Sequence, residues 1–180
     1  MTDHPQQLYA VEFREADQAR LVGFTCGDEA WSRHAAEWIR GSDVLDSITK
    51  GTKVWLFENA GGEIVGFGSV GRTRWRWPLP DGSYTSILFI PMFGLRTCFQ
   101  GQPPDPDWRF ARQIMSHLIH AAQEISREAA AQASAPINWL VLMVHRENQR
   151  AISFYEKCGF ELIPNVVRQQ NHLVMKLWIP

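Results

Sequence analysis

Apolar residues run without polar interruption from Trp139 to Val144, and a run of that kind predicts a strand buried on both faces. Asn148 then offers a helix-capping side chain. Ala151, Phe154, Tyr155 and Cys158 are spaced for one face of a helix over 149–158. Gly159 suits the left-handed position that closes such a helix, and a strand follows over 160–163. Upstream, alternation predicts a first strand over 8–13. Trp31, Ala35 and Trp38 at helical spacing predict a helix over 27–39. The stretch 41–51 reads as a polar connection with room for a short helical turn. Strands over 52–58 and 63–70 flank Asn59-Ala-Gly-Gly62, a hairpin turn signal, and Pro78 to Gly82 is a further turn. The apolar strand over 86–95 is interrupted by Pro91 and Gly94, which predicts a bulge or a splayed edge. Phe110, Ile114, Leu118, Ala122, Ile125 and Ala129 form the stripe of a longer helix, and a last strand covers 172–179.

Composition narrows the class. A chain of 180 residues, 45% hydrophobic and 21% charged, suits a single well-cored domain over 1–180. Eight tryptophans exceed what one core of this size holds, so several belong in grooves or at interfaces. The net charge of −1 supplies no general attraction for polyanions, so nucleic acid is disfavoured as a partner. Cys26, Cys98 and Cys158 are odd in number and far apart, which excludes a disulfide framework and a C-x-x-C site. No apolar run reaches membrane-spanning length, and the first residues lack the character of a signal peptide. The expected setting is soluble, reducing and cytoplasmic, without a membrane partner, and compatible with a homodimer.

Two local patterns carry candidate chemistry. Arg72, Arg74 and Arg76 alternate with Thr73, Trp75 and Trp77, which in an extended chain puts guanidinium groups on one face and indoles on the other. Such a ribbon can hold single-stranded nucleic acid or an acidic substrate. More often such a ribbon is an edge strand with arginines in water and tryptophans packed, and the net charge lends the first reading no support. His117 and His120 sit three apart on a helix, but no third ligand accompanies them, so no metal is expected.

The pattern Val144-x-x-x-Asn148-x-x-Ala151-x-x-Phe154-Tyr155-Glu156-Lys157-x-Gly159-Phe160 resembles the acetyl-CoA-binding half of the GNAT superfamily of N-acyltransferases. The resemblance implies an α/β (α+β) fold: a mixed, mostly antiparallel sheet of six to seven strands with a splayed central pair, flanked by about four helices. It implies acetyl-CoA as co-substrate and a small-molecule or peptide amine as acceptor. Asn148 and Phe154 would contact the cofactor, and Tyr155 would protonate the departing thiolate. Read without the resemblance, Asn148 is a helix cap and Tyr155 a core aromatic. The pantetheine arm would pair with the bulged strand at Phe93, Gly94 and Leu95. More loosely, Phe24-x-Cys26-Gly27 with Glu37-Trp38 is similar to the opening of one GNAT branch, the toxins that acetylate aminoacyl-tRNA.

A loop of backbone N–H groups running into a helix N-terminus binds pyrophosphate, because orphan donors and the helix dipole both favour negative charge. The resembled family writes this loop Q/R-x-x-G-x-G/A. Gln100, Gly101 and Gln102 resemble its start, and Arg109, Phe110 and Ala111, with Arg112, its end. Between them Pro103 to Trp108 is an insertion, and its prolines remove N–H donors. If Asp105-Pro106 caps the helix, Asp105 and Asp107 place carboxylates where an anion should sit, and like charges about 4 Å apart cost roughly 1 kcal/mol even in water. Either the insertion loops away and Arg109 and Arg112 complete the site, or the pocket is degraded. A general base is not evident: 82–104 holds no carboxylate, and Glu12, Glu29 and His145 are the remaining candidates.

Overall fold

Apolar runs become strands and helical stripes become helices in the computed structural model, which describes residues 7–76, 84–102, 105–106, 108–132, 135–164 and 171–180. The chain divides into two compact units, Met1–Ser69 with Met92–His117, and Val70–Pro91 with Leu118–Pro180.

In the first unit, β1 (Tyr9–Glu12) pairs antiparallel with β2 (Lys53–Glu58), Tyr9 opposite Glu58. A 3-10 turn (Glu15–Leu21) leads to α1 (Ala30–Arg40) and α2 (Asp43–Thr49). The expected connection over 41–51 is therefore a helix of two turns. Val44 is its one buried residue, too thin a stripe for periodicity to reveal. Helix α1 starts later than the sequence suggests because Gly27, at φ +127°, lies in a non-helical loop. Asn59 builds the hairpin turn by accepting from the N–H groups of Gly61 and Glu63, each at 3.0 Å. After that turn come β3 (Ile64–Arg76), β4 (Tyr84–Ile90) and β5 (Phe93–Leu95), and β5 pairs β3. The core of this unit gathers Phe24, Trp38, Ile39, Leu56 and Phe67. Phe67 takes Phe24 edge-on at 5.9 Å and Trp38 stacked at 6.1 Å, so Trp38 packs against β3. Emptying such an aromatic site costs about 3–5 kcal/mol.

The break between β4 and β5 is built rather than loose. Pro91 has no N–H to give a ladder. At Met92 the fully buried Ser69 takes over: its hydroxyl donates to Met92 O at 2.9 Å and accepts from Met92 N at 3.1 Å, while Ser69 N donates to Met92 O at 3.1 Å. The expected interruption at Pro91 is thus a two-residue step, Pro91–Met92, held by one serine.

In the second unit the Arg–Trp ribbon is the continuation of β3, not a separate strand, and pairs β4 from Gly71↔Phe89 to Arg76↔Tyr84. Trp75 is buried and Arg72, Arg74 and Arg76 are exposed, the packed-indole arrangement. Trp77 and the turn at 78–82 lie outside the described residues. Of the first unit, the short β6 (Gly101–Gln102) and β7 (Asp105–Pro106) pair with each other and precede α3 (Arg109–Ala131), whose residues up to His117 belong to that unit and the rest to the second. Then β8 (Trp139–His145), α4 (Gln149–Lys157), β9 (Glu161–Leu162) and β10 (His172–Trp178) complete the chain. Strand β4 runs parallel to β8 from Leu88↔Leu140 to Ile90↔Leu142, and β8 and β10 are antiparallel throughout. The strand order is β1-β2-β3-β4-β8-β10-β9 with β5 on β3, eight strands where six to seven are expected. The excess comes from the two-residue β9 and from β5 standing apart from β4. The mixed, mostly antiparallel character is as expected, β4–β8 being the parallel pair. Among the described residues no helix is long and apolar enough to cross a membrane.

Candidate functional site

Alternation along the β3–β5 ladder decides which backbone groups are spent and which face outward. Arg96 N donates to Val65 O at 2.8 Å and Ser69 N to Met92 O at 3.1 Å, so these residues and the Phe67–Gly94 pair are the hydrogen-bonded positions. Leu95, opposite Gly66, falls between them, and its N–H and C=O turn away from β3. Both outward groups meet side chains of the same unit. The Leu95 carbonyl accepts from Gln100 Nε2 at 2.7 Å, and the Leu95 N–H lies against the Cys26 sulfur. Gln100 Nε2 also donates to Cys26 O at 2.7 Å. Burial pushes the Cys26 thiol up to about 12, against the opposing pull of Arg40 and the Leu95 N–H. Gly94 is required by crowding: a Cβ there would collide with the Phe67 ring and stand 2.8 Å from Cys26 Sγ.

The insertion after Gln100 closes on itself as a hairpin, Gly101 opposite Pro106 and Gln102 opposite Asp105, with Gly101 at φ +73°. This corrects one expectation. Asp105-Pro106 does not start the helix, because both residues are spent in β7. Helix α3 begins at Arg109, its first turn has no acidic residue, and Arg112 N donates to Trp108 O at 2.8 Å. The first N–H groups of a helix have no partner within it, so those of Phe110 and Ala111 head α3 together with the exposed Arg109 and Arg112 side chains. Phe110 is buried and meets Phe99 edge-on at 5.4 Å, which ties the helix start to the segment before the hairpin.

In the second unit, one helix carries Asn148, Phe154 and Tyr155. Asn148 caps α4, its side-chain oxygen accepting from Ala151 N at 3.1 Å, so the capping role read from its residue type is real. Gly159 ends the helix at φ +90°, as its position suggests. Tyr155 is 8% exposed, with the Phe154 ring at 5.6 Å and the Phe160 ring at 5.9 Å. Burial first, and then the neighbouring Cys158 thiol, push its phenol well above the ordinary tyrosine range. A phenol so placed keeps its proton at neutral pH and can donate a hydrogen bond.

The remaining candidates lie elsewhere. Glu12 is exposed on β1, and Glu29 is exposed before α1, accepting from Ser32 Oγ at 3.3 Å. His145 stands opposite His172 across β8–β10, the rings 5.4 Å apart. His117 packs edge-on to Trp55 and Phe57 at 5.0 and 5.2 Å, and His120 reaches Glu124 at 3.4 Å. Among the described residues no cluster of three or more metal-binding side chains occurs. Sequence reasoning missed Ser69, Cys26 and the Gln100 bridge. Each acts across more than twenty residues of chain, a relation no local spacing encodes.

No protein family's pattern matches the chain, and none of the curated proteins does. Solved structures do. A tyrosine-to-phenylalanine mutant of the AtaT toxin, bound to the C-terminus of the antitoxin AtaR and acetyl-CoA, is 16% identical with a TM-score of 0.63, over 94% of this chain and 92% of that one. A tyrosine-to-phenylalanine mutant of KacT is 14% identical with a TM-score of 0.66, over 95% of each chain. A GNAT-family acetyltransferase from Staphylococcus aureus Mu50 is 12% identical with a TM-score of 0.63, over 97% of this chain and 100% of that one. At these identities the likeness is one of architecture: the chain has the fold of the GNAT acetyltransferases.

Proposed function

We propose that this GNAT-fold chain, working as one domain over 1–180, transfers an acetyl group from acetyl-CoA to a primary amine by direct attack in a ternary complex, with Tyr155 as general acid. The observation that carries the reading is the buried phenol of Tyr155, held protonated on the helix that Asn148 caps. The start of α3 fits the co-substrate's phosphates: its first turn holds arginine and no acidic residue, and the Asp105–Pro106 backbone pairs in β7 instead of capping the helix, while Asp107 lies outside the described residues. That favours a working anion site over a degraded one. AtaT, of the same fold, has been solved with acetyl-CoA.

In this reading Arg109 and Arg112, with the N–H groups of Phe110, Ala111, Gly101 and Gln102, hold the pyrophosphate, while Phe93, whose backbone faces away from β3 as Leu95's does, meets the pantetheine arm; Gly94, expected to join it, has its own backbone groups paired with Phe67. Asn148 and Phe154 add contacts from α4. The co-substrate supplies an activated thioester. A backbone N–H near Leu95 steadies the carbonyl oxygen as charge develops on it. The Cys26 sulfur is a weak acceptor and yields that N–H to an oxygen. As the C–S bond breaks, Tyr155 hydrogen-bonds the departing sulfur and hands it a proton in step with the one the amine sheds, which returns to the phenol, because a thiolate of thiol pKa about 8.5 is too weak a base to take the proton alone. The amine must arrive neutral. With a free pKa of about 10.4 for lysine, it loses its proton through water, a relay whose end His145, directly after the buried run of β8, would supply.

Titration calorimetry with acetyl-CoA tests the reading. Heat of binding, followed by thiol release against a panel of amines, supports it. No heat at millimolar ligand favours instead a non-catalytic binding protein that has kept the fold. A second reading has its own support, since AtaT and KacT are toxins and Arg72, Arg74 and Arg76 are exposed on β3. There the acceptor is the amine of an aminoacyl-tRNA. Acetylation of aminoacyl-tRNA, with no turnover of free amines, distinguishes it.

A further inference from the structure

We infer that Gln100 is a positioning residue of the proposed transferase and not a ligand of the co-substrate's phosphates. The inference rests on the acetyl-transfer reading above and assigns Gln100 a different task within it. A glutamine side chain has two N–H donors, both on Nε2. Here both are spent, on Leu95 O and Cys26 O, each at 2.7 Å. Two carbonyl acceptors also fix which end of the amide is nitrogen. The other amide atom, Oε1, only accepts, and a phosphate oxygen offers it nothing. The backbone N–H of Gln100 is engaged as well, with Thr97 O at 3.2 Å.

What those bonds join is chemically pointed. Cys26 and Leu95 are far apart in sequence, and the one amide ties the end of β5 to the loop before α1. Thr97 adds a second tie to the same loop, its N–H and hydroxyl meeting Thr25 O at 3.0 and 3.1 Å. The residue so fixed is Leu95, whose N–H and C=O the ladder with β3 does not restrain. Gln100 therefore sets the direction of the one outward N–H that the proposed chemistry uses, and it seals Cys26, 5% exposed, behind β5.

The test uses the full chain carrying Cys98→Ser, which removes the exposed thiol. Gln100→Glu keeps the shape and replaces the donor with an acceptor facing two carbonyls. Gln100→Leu removes the donors without adding charge and stands in if the first variant does not fold. Gln100→Arg keeps donors in a fork. Two quantities are read: kcat and KM for acetyl-CoA, and the rate at which an aromatic disulfide labels Cys26, located by mass spectrometry. A positioning role lowers kcat about tenfold in the Glu and Leu variants with KM within about twofold, because the lost interaction is one expressed in the transition state. Cys26 labelling rises about tenfold as its cover opens, and Gln100→Arg recovers part of both. A raised KM with unchanged kcat and protected Cys26 marks Gln100 as a phosphate ligand and overturns the inference, as does no change in either quantity. If the unsubstituted chain transfers no acetyl group, the acetyl-transfer reading and Gln100's catalytic task both fall, while the labelling rates still decide whether the tie exists.

Discussion

Tyr155 is the residue on which the proposed chemistry turns, and its environment gives it a direction in pH. Its folded pKa is raised, so the folded state holds the proton more tightly than the unfolded chain does. The stability this contributes is complete below the ordinary tyrosine value of 10.0 and is lost as pH climbs beyond it. Catalysis follows the same sign: between pH 7 and about pH 9 no loss of rate arises from ionisation of the acid, whatever the amine does. Cys26 behaves alike over a defined window. Its contribution is whole below the ordinary thiol value of 9.0 and disappears as pH rises toward about 12. Urea denaturation at a series of alkaline pH values should therefore show a fall that Cys26→Ala flattens, and equal slopes for the two proteins would contradict the burial argument. Asn148 has a separable structural role. Loss of its cap in Asn148→Ala should cost about 1 kcal/mol in the same denaturation, whether or not the amide also touches a ligand.

At the scale of elements, the break between β4 and β5 is the feature most exposed to test. Gly94→Ala forces a methyl into the Phe67 ring and toward Cys26 Sγ at 2.8 Å. Overpacking of this kind costs about 1–3 kcal/mol, and here it also displaces β5, so lower melting temperature and lower kcat should appear together. How far these elements were legible depended on how local their causes are. The β8–α4 segment could be read closely, because its apolar run, capping asparagine and closing glycine each act within a turn of chain. Pro91 and Gly94 announced the break in the strand. They could not announce Ser69, whose hydroxyl meets Met92 across a strand pair. Helix α2 was hidden because it buries one side chain. The 101–106 hairpin was hidden because its prolines and aspartates fit a helix cap as well as a turn. Of the candidate site, the residue types and the α4 face were visible in the sequence. The use of Gln100's amide was not, since a glutamine in a loop motif gives no sign of which acceptors it will find.

For the whole molecule, the architecture stands on agreement among strand order, helix placement and known structures of the GNAT fold, at identities too low to transmit a substrate. Function must then come from particular side chains. The chain's balanced charge argues for an acceptor recognised by local contacts, and the exposed arginines on β3 are the exception to that balance. The most direct measurement is the rate of CoA thiol release from acetyl-CoA, with an accepted amine, by the native chain and by Tyr155→Phe. The account predicts kcat about a hundredfold lower in the variant with acetyl-CoA affinity retained, within the range a positioned general acid contributes. An unchanged rate in Tyr155→Phe would remove the phenol from the chemistry and contradict the account.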